Sequence, residues 1–192
     1  MLHPASFLAY IFVTAFTPGP NTILSMSNAG RLGFRRSFPF NLGIWAGFSV
    51  LMLLCGVFCG ALYTFLPRIR PFMLALGAAY MLWLAWRTLC SSSRLEERKG
   101  GAGFLDGMLL QFVNVKVIIY GVTSLSAYVL PYFRQPLVVA GFALLLAFVG
   151  FLGTVCWALF GSLFHRLFSE HARVVNLVMA LLLVCCAVSL FL

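Results

Sequence analysis

Six apolar stretches divide this chain, with limits near 5–29, 40–66, 71–89, 104–130, 137–163 and 174–192. A helix crosses the hydrocarbon of a bilayer in about 20 residues, so each stretch is long enough to span. The connections fall at Arg31–Pro39, Pro67–Pro71, Cys90–Gly103, Pro131–Pro136 and His165–Arg173, which leaves no room for a soluble domain. Charge agrees: only 9% of the 192 residues are charged, where a soluble chain carries about 25% to cover its surface. The expectation is an all-α membrane protein of six spans, because a helix bonds its own backbone in lipid. The most polar connection, Ser91–Gly101, has linker composition and lies near the centre. It splits a single transmembrane domain over 1–192 into repeat one (about 1–90), a cytoplasmic linker (about 91–103) and repeat two (about 104–192).

The net charge of +9 comes from arginines set singly or in small groups between apolar runs, which is the pattern of topogenic charge and not of a nucleic-acid surface. Loops one, three and five hold Arg31, Arg35, Arg36, Arg87, Arg94, Arg98, Lys99, Arg166 and Arg173; loops two and four hold only Arg68, Arg70 and Arg134. The richer side is expected in the cytoplasm, with both termini facing the periplasm. The first thirty residues hold no Lys or Arg, so they lack the basic region of a signal peptide and the first helix is expected to stay. Cys55, Cys59, Cys90, Cys156, Cys185 and Cys186 form no CxxC and no cluster at metal-ligand spacing, so no metal or cofactor is expected. The Cys55/Cys59 and Cys185/Cys186 pairs read as core residues.

The halves repeat one another at an offset of 97 residues: Phe7-Leu8 begins one stretch and Phe104-Leu105 another, and Thr17-Pro18-Gly19 falls on Asn114-Val115-Lys116. Each polar break follows its Phe by ten residues, about 15 Å along a helix. With three helices per half, the second half enters the membrane from the opposite face. Two inverted three-helix repeats follow, with helices 1 and 4 broken and their breaks meeting near the midplane, the pattern of a secondary transporter's binding site.

In Thr17-Pro18-Gly19-Pro20-Asn21 two prolines remove two amide donors, which ends a regular helix. Pro20 suits the first position of a second half-helix, with Gly19 as the joint, and the free amides near Asn21 and Thr22 would then offer a carboxylate site. A plain proline kink is the competing reading. Lys116 is the one basic residue well inside an apolar stretch, where a lysine costs about 2.5 to 3.5 kcal/mol. Its neutraliser is either an anionic group on a substrate or the carbonyls freed at Pro18. Gln111 and Asn114, at i and i+3, share a face and suit an ammonium or amide; bonding between helices is the competing reading. Gly43 and Gly47 form a GxxxG that reads as close packing, and Trp45, Trp83, Trp86 and Trp157 read as anchors or packing residues. His165 and His171 fall in a cytoplasmic loop. A membrane enzyme and a passive pore are the rival classes. Against the enzyme stand the missing CxxC, no histidine inside a span and no Gly-x-Ser-x-Gly.

These residues together resemble the lysine exporter superfamily: Thr17-Pro18-Gly19-Pro20-Asn21 opening the chain, Gly43xxxGly47, and Asn114-x-Lys116 in a central helix. The resemblance covers essentially the whole chain. Its Pro-Gly-Pro motif lands on Pro18, Gly19 and Pro20, and its Asn-Pro-Lys motif on Asn114, Val115 and Lys116. Val115 departs from the motif, so a break less sharp than in relatives is expected in the fourth span. Phe48 stands where many members carry an Asp after the second glycine, so proton coupling through that acid is not available. Leu110–Thr123 and Cys156–Leu159 are similar to the branch handling cysteine and O-acetylserine. The resemblance implies a bacterial inner-membrane exporter of small neutral amino acids, with homoserine or threonine as alternative substrates, in which the two three-helix halves rock about the site. Thr17, Pro18, Gly19, Pro20, Asn21, Gln111, Asn114 and Lys116 are the expected substrate-binding residues, with substrate and lipid as partners, no nucleic acid, and a homo-oligomer left open.

Overall fold

The computed structural model describes residues 4–90, 102–163 and 172–189, and every regular element among them is helical. The elements are α1 (Pro4–Phe16), α2 (Pro20–Leu32), α3 (Phe34–Cys90), α4 (Phe104–Val113), α5 (Val115–Thr123), a π-helical turn (Ser124–Val129), α6 (Pro136–Leu163) and α7 (Ala172–Ser189). Among the described residues, Phe34–Phe58 and Pro136–Leu163 are long and apolar enough to cross a membrane unaided. Two bent pairs reach that length together: α1 with α2, at 46°, and Phe104–Val113 with Val115–Val129, at 64°. The described helices thus give two spans, or four if each bent pair is one. The linker and the loop holding His165 and His171 lie outside the described residues.

Two expected connections are helical instead. Residues 31–39 hold no loop: α2 runs to Leu32, and Gly33 alone joins it to α3. Its φ of 78° and ψ of 161° belong to a region that in practice only glycine adopts, so one residue turns the chain. The backbone also stays helical through Pro67 and Pro71, where two separate stretches were expected. Each proline withholds one donor and can bend a helix without ending it, since flanking amides keep their bonds. As a straight rod α3 would be about 85 Å long, nearly three times the roughly 30 Å of hydrocarbon. It does not run straight. Trp45 stacks on Phe151 of α6 at 5.3 Å, while Trp157, six residues further along α6, packs against the cluster that holds Ala85. A straight run would separate Trp45 from Ala85 by about 60 Å, so α3 folds back between them.

The main core is built on one face of the first part of α3. Phe40, Ile44, Phe48, Leu51, Met52 and Cys55 recur every three or four residues and pack against α1, α5 and α6. The opposite face, with Trp45, Val50, Leu53, Leu54, Val57 and Phe58, is exposed. Leu137 and Leu163 on α6 are at least 80% exposed, and such an apolar exterior needs lipid to cover it.

Two helix pairs touch backbone to backbone. On the α3/α4 seam, a Cβ at Gly43 would lie 1.9 Å from the Phe104 carbonyl oxygen, one at Gly47 2.4 Å from that of Met108, and one at Gly107 2.2 Å from that of Phe40. Between α6 and the broken helix α1–α2, Gly153 meets the Ala15 carbonyl at 2.6 Å and Gly161 that of Met26 at 2.1 Å. The expected GxxxG is therefore a packing device, and its partner is the fourth expected span.

Candidate functional site

The sequence Thr17-Pro18-Gly19-Pro20 stops α1 at Phe16 and restarts helix at Pro20 with Gly19 as N-cap. Gly19 is extended (φ −172°, ψ −179°), a conformation open to any residue. Its smallness serves a contact instead, because a Cβ there would meet Lys116 Cδ at 3.1 Å and Nζ at 3.2 Å. Thr22 reaches back from the third position of α2, its hydroxyl accepting the Gly19 N–H at 2.9 Å and donating to the Gly19 carbonyl at 3.0 Å. That is half of a capping box.

Three of the carbonyls released where α1 ends, those of Phe16, Thr17 and Pro18, are taken. Val13 accepts from the Thr17 amide at 3.0 Å and the Thr17 hydroxyl at 2.5 Å. Phe16 accepts from Trp157 Nε1 at 3.0 Å. Thr17 and Pro18 accept from Lys116 Nζ at 2.8 and 3.3 Å, and the Cys186 thiol lies 3.8 Å from the Pro18 oxygen. Unbonded carbonyls are costly away from water, and here a lysine of α5, an indole of α6 and the threonine of the break itself bond them. Of the two expected neutralisers of Lys116, the freed carbonyls are the ones in contact.

The second break bends its pair of helices by 64°, against 46° at the first. Asn114 leaves helical geometry at φ −87° and ψ 95°, caps α5, and donates its side-chain amide to Asn21 Oδ1 at 2.8 Å. Asn21 also gives its amide to Gln111 Oε1 at 2.7 Å, and Gln111 Nε2 returns to Asn21 Oδ1 at 3.2 Å and to the Gly107 carbonyl at 2.9 Å. A long-range amide network thus ties the two breaks together. The breaks meet, and the rods that carry them run antiparallel. Thr17 faces Lys116, Tyr10 stacks near Tyr120 and Tyr128, Phe7 meets Tyr128, and Asn28 bonds Ala102 beyond Gln111.

A cavity of about 380 Å³, its open mouth included, lies between the breaks. Gly19, Pro20, Asn21, Asn114 and Lys116 of the expected residues line it. Thr17 and Pro18 offer only carbonyls to Lys116, and Gln111 stands behind the wall, fully buried with its amide engaged. Thr14, Ala15, Thr22, Phe48, Val117, Tyr120, Gly150 and Thr154 complete the lining without having been singled out as site residues. Thr22 carried a signal in its capping position and Tyr120 in lying one turn from Lys116; Thr154 and Gly150 carried none. Lys116 is the one charged residue in the lining. Asn114 is 3% exposed, and its Oδ1 is buried without a hydrogen-bond partner among the described residues. Of the cysteines expected in the core, Cys55 is buried, Cys185 is exposed and Cys186 half-buried, since α7 turns Cys185 outward.

Two broken helices facing one another across a cavity that holds a single charged residue, inside a shell that presents apolar side chains, make a membrane carrier of small molecules. The chain belongs to the LysE type translocator family, which residues 12–192 match. It is 46% identical over 188 residues to the cysteine/O-acetylserine efflux protein of Salmonella typhimurium, and 44% identical to that of Escherichia coli K12. Each alignment covers 97% of this chain and 96% of the relative. No solved structure matches the chain.

Proposed function

We propose that this protein exports small neutral amino acids, cysteine and O-acetylserine first among them, across the bacterial inner membrane by alternating access. The observation that carries the reading is Lys116. Its ammonium stands in a cavity without a lining carboxylate and, among the described residues, donates to two backbone carbonyls. An amino acid's carboxylate supplies the missing charge, and the α2 amides of Asn21 and Thr22, which have no partner within their own helix, point at the same group. Asn114 Oδ1 accepts from the α-ammonium, and Gln111 holds Asn21 in place from behind. The substrate class follows from the relatives' names, from the cavity's small volume, and from its single positive charge.

The architecture proposed for this cycle is six spans in two inverted repeats, 1–90 and 104–192, with both termini in the periplasm. The antiparallel breaks and the return of α3 support it. The test is uptake of labelled cysteine and O-acetylserine into inside-out vesicles, against vesicles lacking the protein, with and without a protonophore. Saturable uptake supports a carrier; uptake that rises linearly with concentration marks a pore; neither compound entering removes the substrate assignment.

A further inference from the structure

The cavity wall changes character along α5. Lys116 and Tyr120 lie about one turn apart, about 6 Å along the axis. Beyond them the Phe48 ring meets Tyr120 edge-on at 5.8 Å and 82°, an arrangement that aromatic pairs favour. Phe48 is 5% exposed and lines the cavity. Its ring lies where a side chain at position 150 would be: a Cβ on Gly150 would fall 2.7 Å from Cε2 and 2.8 Å from Cζ. Gly150 is thus the seat of the ring. A ligand with its carboxylate at Lys116 extends its side chain along this wall and ends against the ring.

We propose that Phe48, seated on Gly150, sets the length limit on the transported side chain. This rests on the reading of the cavity as an amino-acid site. An apolar wall discriminates by about 10- to 200-fold per methylene, so the expected effects are of that size. In inside-out vesicles, Phe48→Ala should raise the ratio of methionine to cysteine uptake at least tenfold over the parent protein, with Phe48→Leu between them. Gly150→Ala, which pushes the ring into the cavity, should reduce uptake of the longer O-acetylserine more than that of cysteine. An unchanged substrate range in all three variants, present at parental abundance, overturns the role of Phe48. Failure of the parent protein to take up either compound overturns the underlying reading instead.

A second observation stands apart from the substrate. Among the described residues, five glycine positions meet backbone of another helix, on the seams α1–α2 with α6 and α3 with α4. The first part of α3 also touches α6, but there Gly56 and Gly150 meet side chains, of Val139 and Phe48, which can give. Each seam joins helices from different halves of the chain. The cavity lies between the two pairs: Thr14, Gly19 and Asn21 come from one, Phe48, Asn114 and Lys116 from the other and its continuation α5. Gly33, at a glycine-only conformation with nothing within 4 Å of its Cβ position, joins them. We infer that the bodies that move in transport are α1–α2 with α6 and the first part of α3 with α4 and α5, hinged at Gly33, in place of the two sequence halves.

Spin labels on a non-cysteine handle at the exposed positions Arg31, Arg36, Leu105 and Leu163 decide between them. With cysteine added or removed, the Arg31–Leu163 and Arg36–Leu105 distances should stay fixed, each within one body, while Leu105–Leu163 shifts by several Å. A fixed Leu105–Leu163 distance with the other two shifting would assign motion to the halves and overturn the inference, as would no shift in any pair.

Discussion

Lys116 donates to the carbonyl of Thr17, 99 residues earlier, at 2.8 Å. The cation brought by the second break is thereby held by an acceptor that the first break releases. Each break makes the other tolerable, and both open onto the cavity.

Removing the ammonium should stop transport without unfolding the protein. Lys116→Ala is expected to lower cysteine uptake at least a hundredfold at unchanged membrane abundance. Lys116→Arg should also fail, because Gly19 already touches Lys116 and a planar guanidinium is wider. Gly19→Ala, whose backbone conformation suits any residue, should reduce uptake partly by displacing the lysine. Normal uptake by Lys116→Ala would sink the role of this residue.

The Asn21–Gln111 pair is a structural coupling, visible in stability. Gln111→Leu leaves the buried Asn21 side-chain N–H without its acceptor and should cost about 1 to 3 kcal/mol. The double variant with Asn21→Leu should cost less than the two single changes together, by about 0.5 to 3 kcal/mol. Unfolding of the purified protein in detergent measures both; strict additivity would mean the amides act independently.

How far the sequence discloses this arrangement depends on whether a residue acts locally. The break at Pro18 and Pro20 was legible because prolines withhold donors wherever they stand. The break at Asn114 was legible only through the 97-residue offset. Its sharpness was not, since it rests on a side-chain bond to Asn21 that no local pattern contains. Local reasoning failed in the other direction at Pro67 and Pro71, which interrupt a helical run less than their chemistry suggests, and at residues 31–39, where Gly33 alone turns the chain. Phe48 and Gly150 look like ordinary core in one sequence, because their meaning is their contact with each other. Trp157 read as an anchor, and its indole bonds the Phe16 carbonyl from 141 residues away.

Trp157→Phe keeps most of the packing and removes that one donor. It should lower stability by about 1 to 3 kcal/mol if the Phe16 carbonyl is left unbonded, read as a lower unfolding temperature. An unchanged temperature would show that the carbonyl finds another donor.

The glycines should sort by what their Cβ meets. Gly43→Ala and Gly161→Ala drive a methyl into backbone oxygen at 1.9 and 2.1 Å and should sharply lower the amount of folded protein in the membrane. Gly141 in α6 has nothing within 4 Å, so Gly141→Ala should be neutral or stabilise by up to about 1 kcal/mol. Equal abundance of all three, by quantitative blotting, would contradict the backbone-close seams.

The most direct measurement is competition against labelled cysteine uptake by cysteine lacking its carboxylate, that is, cysteamine. If Lys116 and the α2 amides hold the carboxylate, unlabelled cysteine and O-acetylserine should compete fully, and cysteamine at the same concentration should not compete. Competition by cysteamine as strong as that by cysteine would contradict a carboxylate site at Lys116.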